Sequence, residues 1–174
     1  YTTTTLPNVT FATGYIGNAA VFNGSSSYIS IDATATTPID FSLENFTTSM
    51  WLNPSSLAAE ITFFGKYSSG SDSPTTKRSI IMKLTTSGEI KVIEHSGAAA
   101  FTQTSSATIS ANSWSFVSYV RESGSSHIYI NNNSAETQSR TNTIKDGSVQ
   151  PITIGGVRPN QGDFNGSIDQ VRIF

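Results

Sequence analysis

Apolar residues recur along this chain of 174 residues with period two, in short runs broken by Gly, Asn, Ser and Pro. The runs that read as strands are 19–23, 28–32, 46–53, 61–66, 79–84, 89–95, 99–104, 107–110, 114–121, 126–131, 134–139, 152–156 and 165–174. No window keeps a helical period for three turns, so helices are not expected. Many short antiparallel strands at this spacing predict an all-β sandwich or barrel.

The alternation also assigns faces. In Ser126-His-Ile-Tyr-Ile-Asn131 the β-branched pair Ile128 and Ile130 points one way, and His127 and Tyr129 point the other. In Glu89-Ile-Lys-Val-Ile-Glu94 the apolar side is Ile90 and Val92. Turn residues Ser87-Gly88 and Ser123-Gly124 predict hairpins between the flanking runs. Two polar stretches, 68–77 and 140–150, read as mobile surface loops. No repeat, charge block or composition shift marks an internal boundary, so residues 1–174 are read as one domain.

Composition narrows the function. Only 13% of residues are charged and the formal net charge is −2, which leaves no basic stripe for a phosphate backbone and speaks against nucleic acid as a partner. No apolar run approaches the roughly 20 residues that span a bilayer as a helix, so membrane insertion is not expected. The chain has no cysteine, which excludes disulfides, thiol catalysis and cysteine-ligated zinc. Roughly a third of it is Ser, Thr or Asn, residues that solvate a surface without charging it and favour strands and turns over helix interiors. An externally facing β protein is the expectation. The first residue is Tyr1, not Met, and the chain reads as a domain excised from a larger protein with neighbouring domains.

The order of Gly17-Asn-Ala-Ala-Val-Phe-Asn-Gly24, Tyr28-Ile-Ser-Ile31, Phe46-Thr-Thr-Ser-Met-Trp-Leu-Asn-Pro54, Trp114-Ser-Phe-Val117, Ile128-Tyr-Ile-Asn131, Ile154-Gly-Gly156 and Phe164-Asn-Gly-Ser-Ile-Asp-Gln-Val-Arg-Ile-Phe174 resembles the laminin-G-like domain of the concanavalin A-like lectin and glucanase superfamily. The resemblance implies a two-sheet antiparallel β-sandwich, a jelly roll in which the first motif strand pairs beside the last. It also implies a possible structural calcium ion (Ca2+) near the chain ends, carried by Gly24 and Asp169, and it places Trp51 and Trp114 as framework residues of the core.

Candidate chemistry is sparse. Related glucanases need two carboxylates on one face, about 5 Å apart, as nucleophile and acid; Glu89 and Glu94 are an odd distance apart in one strand and so face opposite ways. Polysaccharide lyases of similar fold use Arg, Gln, His and Tyr on neighbouring strands, and Arg78, His95, His127 and Tyr129 match those types without matching the motifs. No Gly-x-Ser-x-Gly elbow is present. A non-enzymatic role is therefore expected. On a rigid sandwich, loops and open sheet faces carry recognition: His95, His127 and Tyr129 are candidates for an exposed face, and Tyr67, Arg78, Arg158, Gln161 and Asp163 for a rim. The sequons at Asn8, Asn23, Asn45, Asn132 and Asn165 fit chance in such a composition. The resulting expectation is a carbohydrate-binding or adhesion domain, extracellular or on a cell or virion surface, whose partner is a polysaccharide or other glycan. The alternative is a structural or protein-interaction domain of such a surface.

Overall fold

The computed structural model describes residues 3–31, 39–42, 45–67, 78–97, 99–145, 150–156 and 164–174. These residues hold fourteen strands and no helix: β1 Thr3–Thr5, β2 Thr10–Thr13, β3 Asn18–Asn23, β4 Ile29–Ile31, β5 Phe46–Pro54, β6 Ile61–Tyr67, β7 Arg78–Leu84, β8 Glu89–His95, β9 Ala100–Thr108, β10 Ser115–Glu122, β11 Ser125–Ile130, β12 Asn133–Ser139, β13 Ile152–Ile154 and β14 Asn165–Ile173. They form two seven-stranded sheets, β1-β4-β13-β6-β7-β8-β9 and β12-β11-β10-β5-β14-β3-β2. Neighbouring strands are antiparallel, and β14 lies between β3 and β5, so the last strand closes against the first motif strand.

The core lies between the sheets, where their inward phases meet. Met50, Leu52, Val117, Ile128 and Ile168 from one sheet face Phe64, Ile80, Met82, Ile90 and Val92 from the other, all fully or almost fully buried. Burying each such side chain contributes about 1.5–3 kcal/mol relative to exposure. Thr48 Oγ1 reaches Met82 Sδ across the gap at 3.4 Å. The two predicted hairpins form at Gly88 and Gly124, whose φ values of 87° and 83° favour glycine.

Three sequence expectations change. Strands β1 and β2 were not expected, since their Thr-rich sequence carries little apolar alternation and all four residues of β2 are exposed. Runs 99–104 and 107–110 are one strand, β9, carried across an irregularity opposite Glu89 and Lys91. There the Ser105 hydroxyl accepts the Ile90 N–H at 2.9 Å and donates to the Ala107 carbonyl at 2.6 Å, so a side chain replaces a ladder bond. Finally, segment 140–145 is not a free loop. Arg140 and Ile144 are buried, and Lys145 N–H donates to the His95 carbonyl at 2.6 Å, which ties the segment across the end of β8. The predicted loop 68–77 and residues 146–149 lie outside the described residues.

Candidate functional site

In β5 the inward phase is Phe46, Thr48, Met50, Leu52 and Pro54; Thr47, Trp51 and Asn53 occupy the other phase and are half-buried. In β10 Ser115, Val117 and Tyr119 point inward, with Phe116 and Val120 outward. Trp51 stands directly across from Phe116 in the ladder, with ring centroids 5.3 Å apart and planes at 55°. Trp51 is thus not a core residue, as its motif had implied. Period two forces it onto the outer face once Met50 and Leu52 enter the core. Trp114, just before β10, is likewise half-buried outside it.

A tight turn covers part of this face. Gly14 N–H donates to the Gly17 carbonyl at 2.8 Å, and the turn presents Tyr15, whose ring stacks on Trp51 at 3.5 Å and 17° and meets Trp114 edge-on at 6.4 Å. The turn is pinned from below by Asp169, which is 4% exposed and is the ladder partner of Trp51 in β14. Its Oδ2 accepts the Ile16 N–H at 2.9 Å and its Oδ1 the Gln170 N–H at 2.7 Å. Tyr15 itself remains 51% exposed.

The aromatic row continues across β11. Tyr129 is diagonal to Phe116 on the neighbouring strand, a relation that puts Cα atoms about 7–8 Å apart, and the His127 ring stacks beside Tyr129 at 6.1 Å and 26°. As the alternation predicted, Ile128 and Ile130 are buried while His127 and Tyr129 sit on the outer face. Between Trp51 and Phe116 opens a groove of about 320 Å³, bordered by Asn131 and Asn132. These two asparagines form the β11–β12 turn with φ of 51° and 67°, a conformation Asn tolerates better than most residues, and Asn131 Oδ1 accepts the Phe116 N–H at 2.8 Å. Flat ring faces beside uncharged amides suit a neutral, hydroxyl-rich ligand: the rings take apolar C–H faces, and amides both donate and accept.

The other sequence candidates are scattered. His95 is buried, not exposed, because segment 140–145 covers the end of its strand; its ring lies 5.9 Å from that of Tyr67. Arg78 pairs through its backbone with Tyr67. Arg158, Gln161 and Asp163 lie outside the described residues. Both nitrogens of His127 are engaged: Nε2 is 2.8 Å from Glu122 Oε1 and 3.1 Å from Ser125 Oγ, and Nδ1 is 3.0 Å from Thr137 Oγ1. Glu94 is buried between the sheets and Glu89 half-exposed on the other side of β8, so these two carboxylates cannot share one sugar. Gly24 and Asp169 are not brought together either. Gly24 N–H bonds to the carbonyl of Phe164, which immediately precedes β14 and lies five residues from Asp169, a separation of roughly 16 Å along the chain. One ion cannot take both as ligands, and each Asp169 oxygen accepts one backbone N–H. No cluster of three His, Asp or Glu side chains able to hold a metal occurs among the described residues.

A laminin-G-type family model, described as the concanavalin A-like lectin/glucanases superfamily, matches residues 8–174. The chain belongs to that superfamily. Its sandwich is similar to several solved members of related folds. Domain 4 of AbnA, a GH43 extracellular arabinanase from Geobacillus stearothermophilus solved with arabinotriose, matches at TM-score 0.68 and 22% identity, over 95% of this chain and 74% of that one. The binding domain of Paraclostridial Mosquitocidal Protein 1 matches at TM-score 0.75 and 16% identity, over 99% of this chain and 44% of that one. The binding domain of botulinum neurotoxin serotype G matches at TM-score 0.72 and 15% identity, over 99% and 42%. The chain therefore spans less than half of either toxin binding domain. No curated protein sequence matches it.

Proposed function

We propose that this domain is a non-catalytic carbohydrate-binding module that takes a neutral oligosaccharide on the outer face of the β12-β11-β10-β5-β14-β3-β2 sheet. The observation that carries the reading is the groove between Trp51 and Phe116 with Asn131 and Asn132 at its edge, continued by exposed Tyr15 on one side and Tyr129 on the other. A row of rings across three strands and the Gly14–Gly17 turn matches a chain of pyranose or furanose units better than a single small molecule. The arabinotriose bound by the arabinanase domain makes arabino-oligosaccharides the first ligands to try. The same reading puts the domain outside the cell, on a secreted or surface protein, where polymeric glycans are met.

Both tryptophans of the chain, Trp51 and Trp114, contact Tyr15 in this cluster, so intrinsic fluorescence reports the site directly. A glycan array followed by fluorescence titration of the hits tests the reading. Phe116→Ala and Tyr129→Ala are expected to weaken binding at least tenfold, a loss of about 1.4 kcal/mol, with the fold retained. Silence across the array, or full affinity in both folded variants, removes this face from consideration and favours the protein-interaction alternative.

A further inference from the structure

At the end of the sandwich away from the aromatic groove, three charged side chains are buried together between the sheets. Glu94 is fully buried, and Arg121 and Arg140 are 6% and 5% exposed. Among the described residues Glu94 is the one carboxylate near either guanidinium, with Arg121 Nε 3.2 Å from Oε1 and Arg140 Nε 3.7 Å from Oε2. Glu94 is also saturated by neutral donors: Tyr119 donates to Oε1 and Asn142 Nδ2 to Oε2 at 2.9 Å. Among the described residues two cations thus share one anion, an excess of positive charge that is costly in a low-dielectric site unless an anion balances it. Donors are also left over. Arg140 spends Nε on Ser126 and Nη2 on Gln103, and its Nη1 has no partner among the described residues; Arg121 gives Nη1 to the Glu122 and Ser125 carbonyls and Nη2 to that of Asn142, while its buried Nε faces Glu94. Both arginines line a cavity of about 200 Å³ that opens beside the β10–β11 turn at Ser123 and Gly124.

The geometry points to this cavity as a binding site for one oxyanion, a carboxylate or sulfate group, held by Arg140 through Nη1 with the Arg121 charge beside it. Guanidinium forks match the planar or tetrahedral oxygens of such groups, and 200 Å³ admits the group with little more than the ring that bears it. The oxyanion comes either free from solution or attached to an acidic sugar. The site is separate from the aromatic face, and its test does not depend on what that face binds.

Melting curves in sodium sulfate against sodium chloride at equal ionic strength, and calorimetric titration with glucuronate against glucose, read it out. Sulfate is expected to raise Tm saturably, and glucuronate to bind where glucose does not. Ser123→Glu puts a carboxylate at the cavity mouth from an exposed turn position, where folding is spared, and is expected to abolish both effects. Arg140→Gln, if it folds, is expected to weaken them at least tenfold. A response to sulfate alone assigns the site to a free inorganic anion, and a response to both extends it to acidic sugars. General salting-in or salting-out acts without saturation and equally on every variant. A sulfate response of that kind, unchanged in Ser123→Glu, together with no glucuronate binding, overturns the proposal.

Discussion

Asp169→Ala separates a structural pin from a metal ligand. The carboxylate is almost fully buried and accepts two backbone N–H groups, from Ile16 at 2.9 Å and Gln170 at 2.7 Å. A hydrogen bond to a charged acceptor contributes about 1.5–3 kcal/mol. Ile16 is 55% exposed, so its freed N–H regains water, which puts the combined loss at about 2–4 kcal/mol. For a domain of this size that is a fall in Tm of roughly 5–15 °C. The loss has a second signature. The Ile16 bond holds the turn that stacks Tyr15 on Trp51, so Trp51 becomes more solvated while the protein is still folded, and its emission shifts to the red before the melting transition. Circular dichroism melts and native-state fluorescence, each with and without chelator, measure both effects. The penalty is expected to be the same in either buffer. Two results refute the reasoning: a variant within about 0.5 kcal/mol of the parent, or a penalty that disappears when chelator is present, which would make Asp169 a calcium ligand after all.

Tyr119 is fully buried with its hydroxyl on Glu94; burial first, then the Glu94 charge, pushes its pKa well above the ordinary 10.0. Because the folded value is raised, this contribution is complete below about pH 10 and is lost as pH climbs above it, where the unfolded chain sheds the proton first. Urea midpoints between pH 8 and 11 are expected to fall less steeply for Tyr119→Phe than for the parent; parallel slopes count against the assignment. At Gly155, φ is 83° and an added Cβ would lie 2.2 Å from the Phe22 ring, so Gly155→Ala combines overpacking with a left-handed backbone and is expected to cost about 2–4 kcal/mol in chemical denaturation. An unchanged midpoint would contradict that packing.

Much of the sandwich was legible in the chain because its stability and its pattern share one cause. Ile128 and Ile130 must be buried together if either is, and the glycines at 88 and 124 sit where hairpins need positive φ. The missed strands are those with no such constraint: β2 is exposed throughout and is held by backbone pairing to β3, which any sequence can supply. The groove was half legible. Trp51 is out of phase with Met50 and Leu52, a signal readable from residues 46–54 alone, yet the framework role implied by its motif pointed the other way. Tyr15 was not legible, since the contact that positions it joins Ile16 to Asp169, residues 153 apart. The buried charges were legible in phase and unexpected in kind: Arg121 follows Val117 and Tyr119 inward, and Glu94 follows Ile90 and Val92.

Two departures from apolar-inside and polar-outside therefore stand on the same strand of one domain. Near the start of β10 an aromatic ring, Phe116, faces out; near its end a guanidinium, Arg121, faces in. Each is unfavourable on local grounds, one exposing apolar surface and the other desolvating charge. A sequence otherwise consistent with its fold tends to break its own rules where something is bound or strained. Random drift would not gather the exceptions as they are gathered here, with Trp51, Phe116 and Tyr129 contiguous on one face, and with Arg140 brought from a different segment to the carboxylate that Arg121 already holds. The framework that tolerates both is the inward phase of β5, β10 and β11, whose aliphatic residues pack without help from either exception. For that reason substitutions at Phe116 or Tyr129 are expected to alter binding with little effect on stability, whereas Met50, Leu52 or Val117 cut to Ala should cost about 2–5 kcal/mol and affect binding only through the fold.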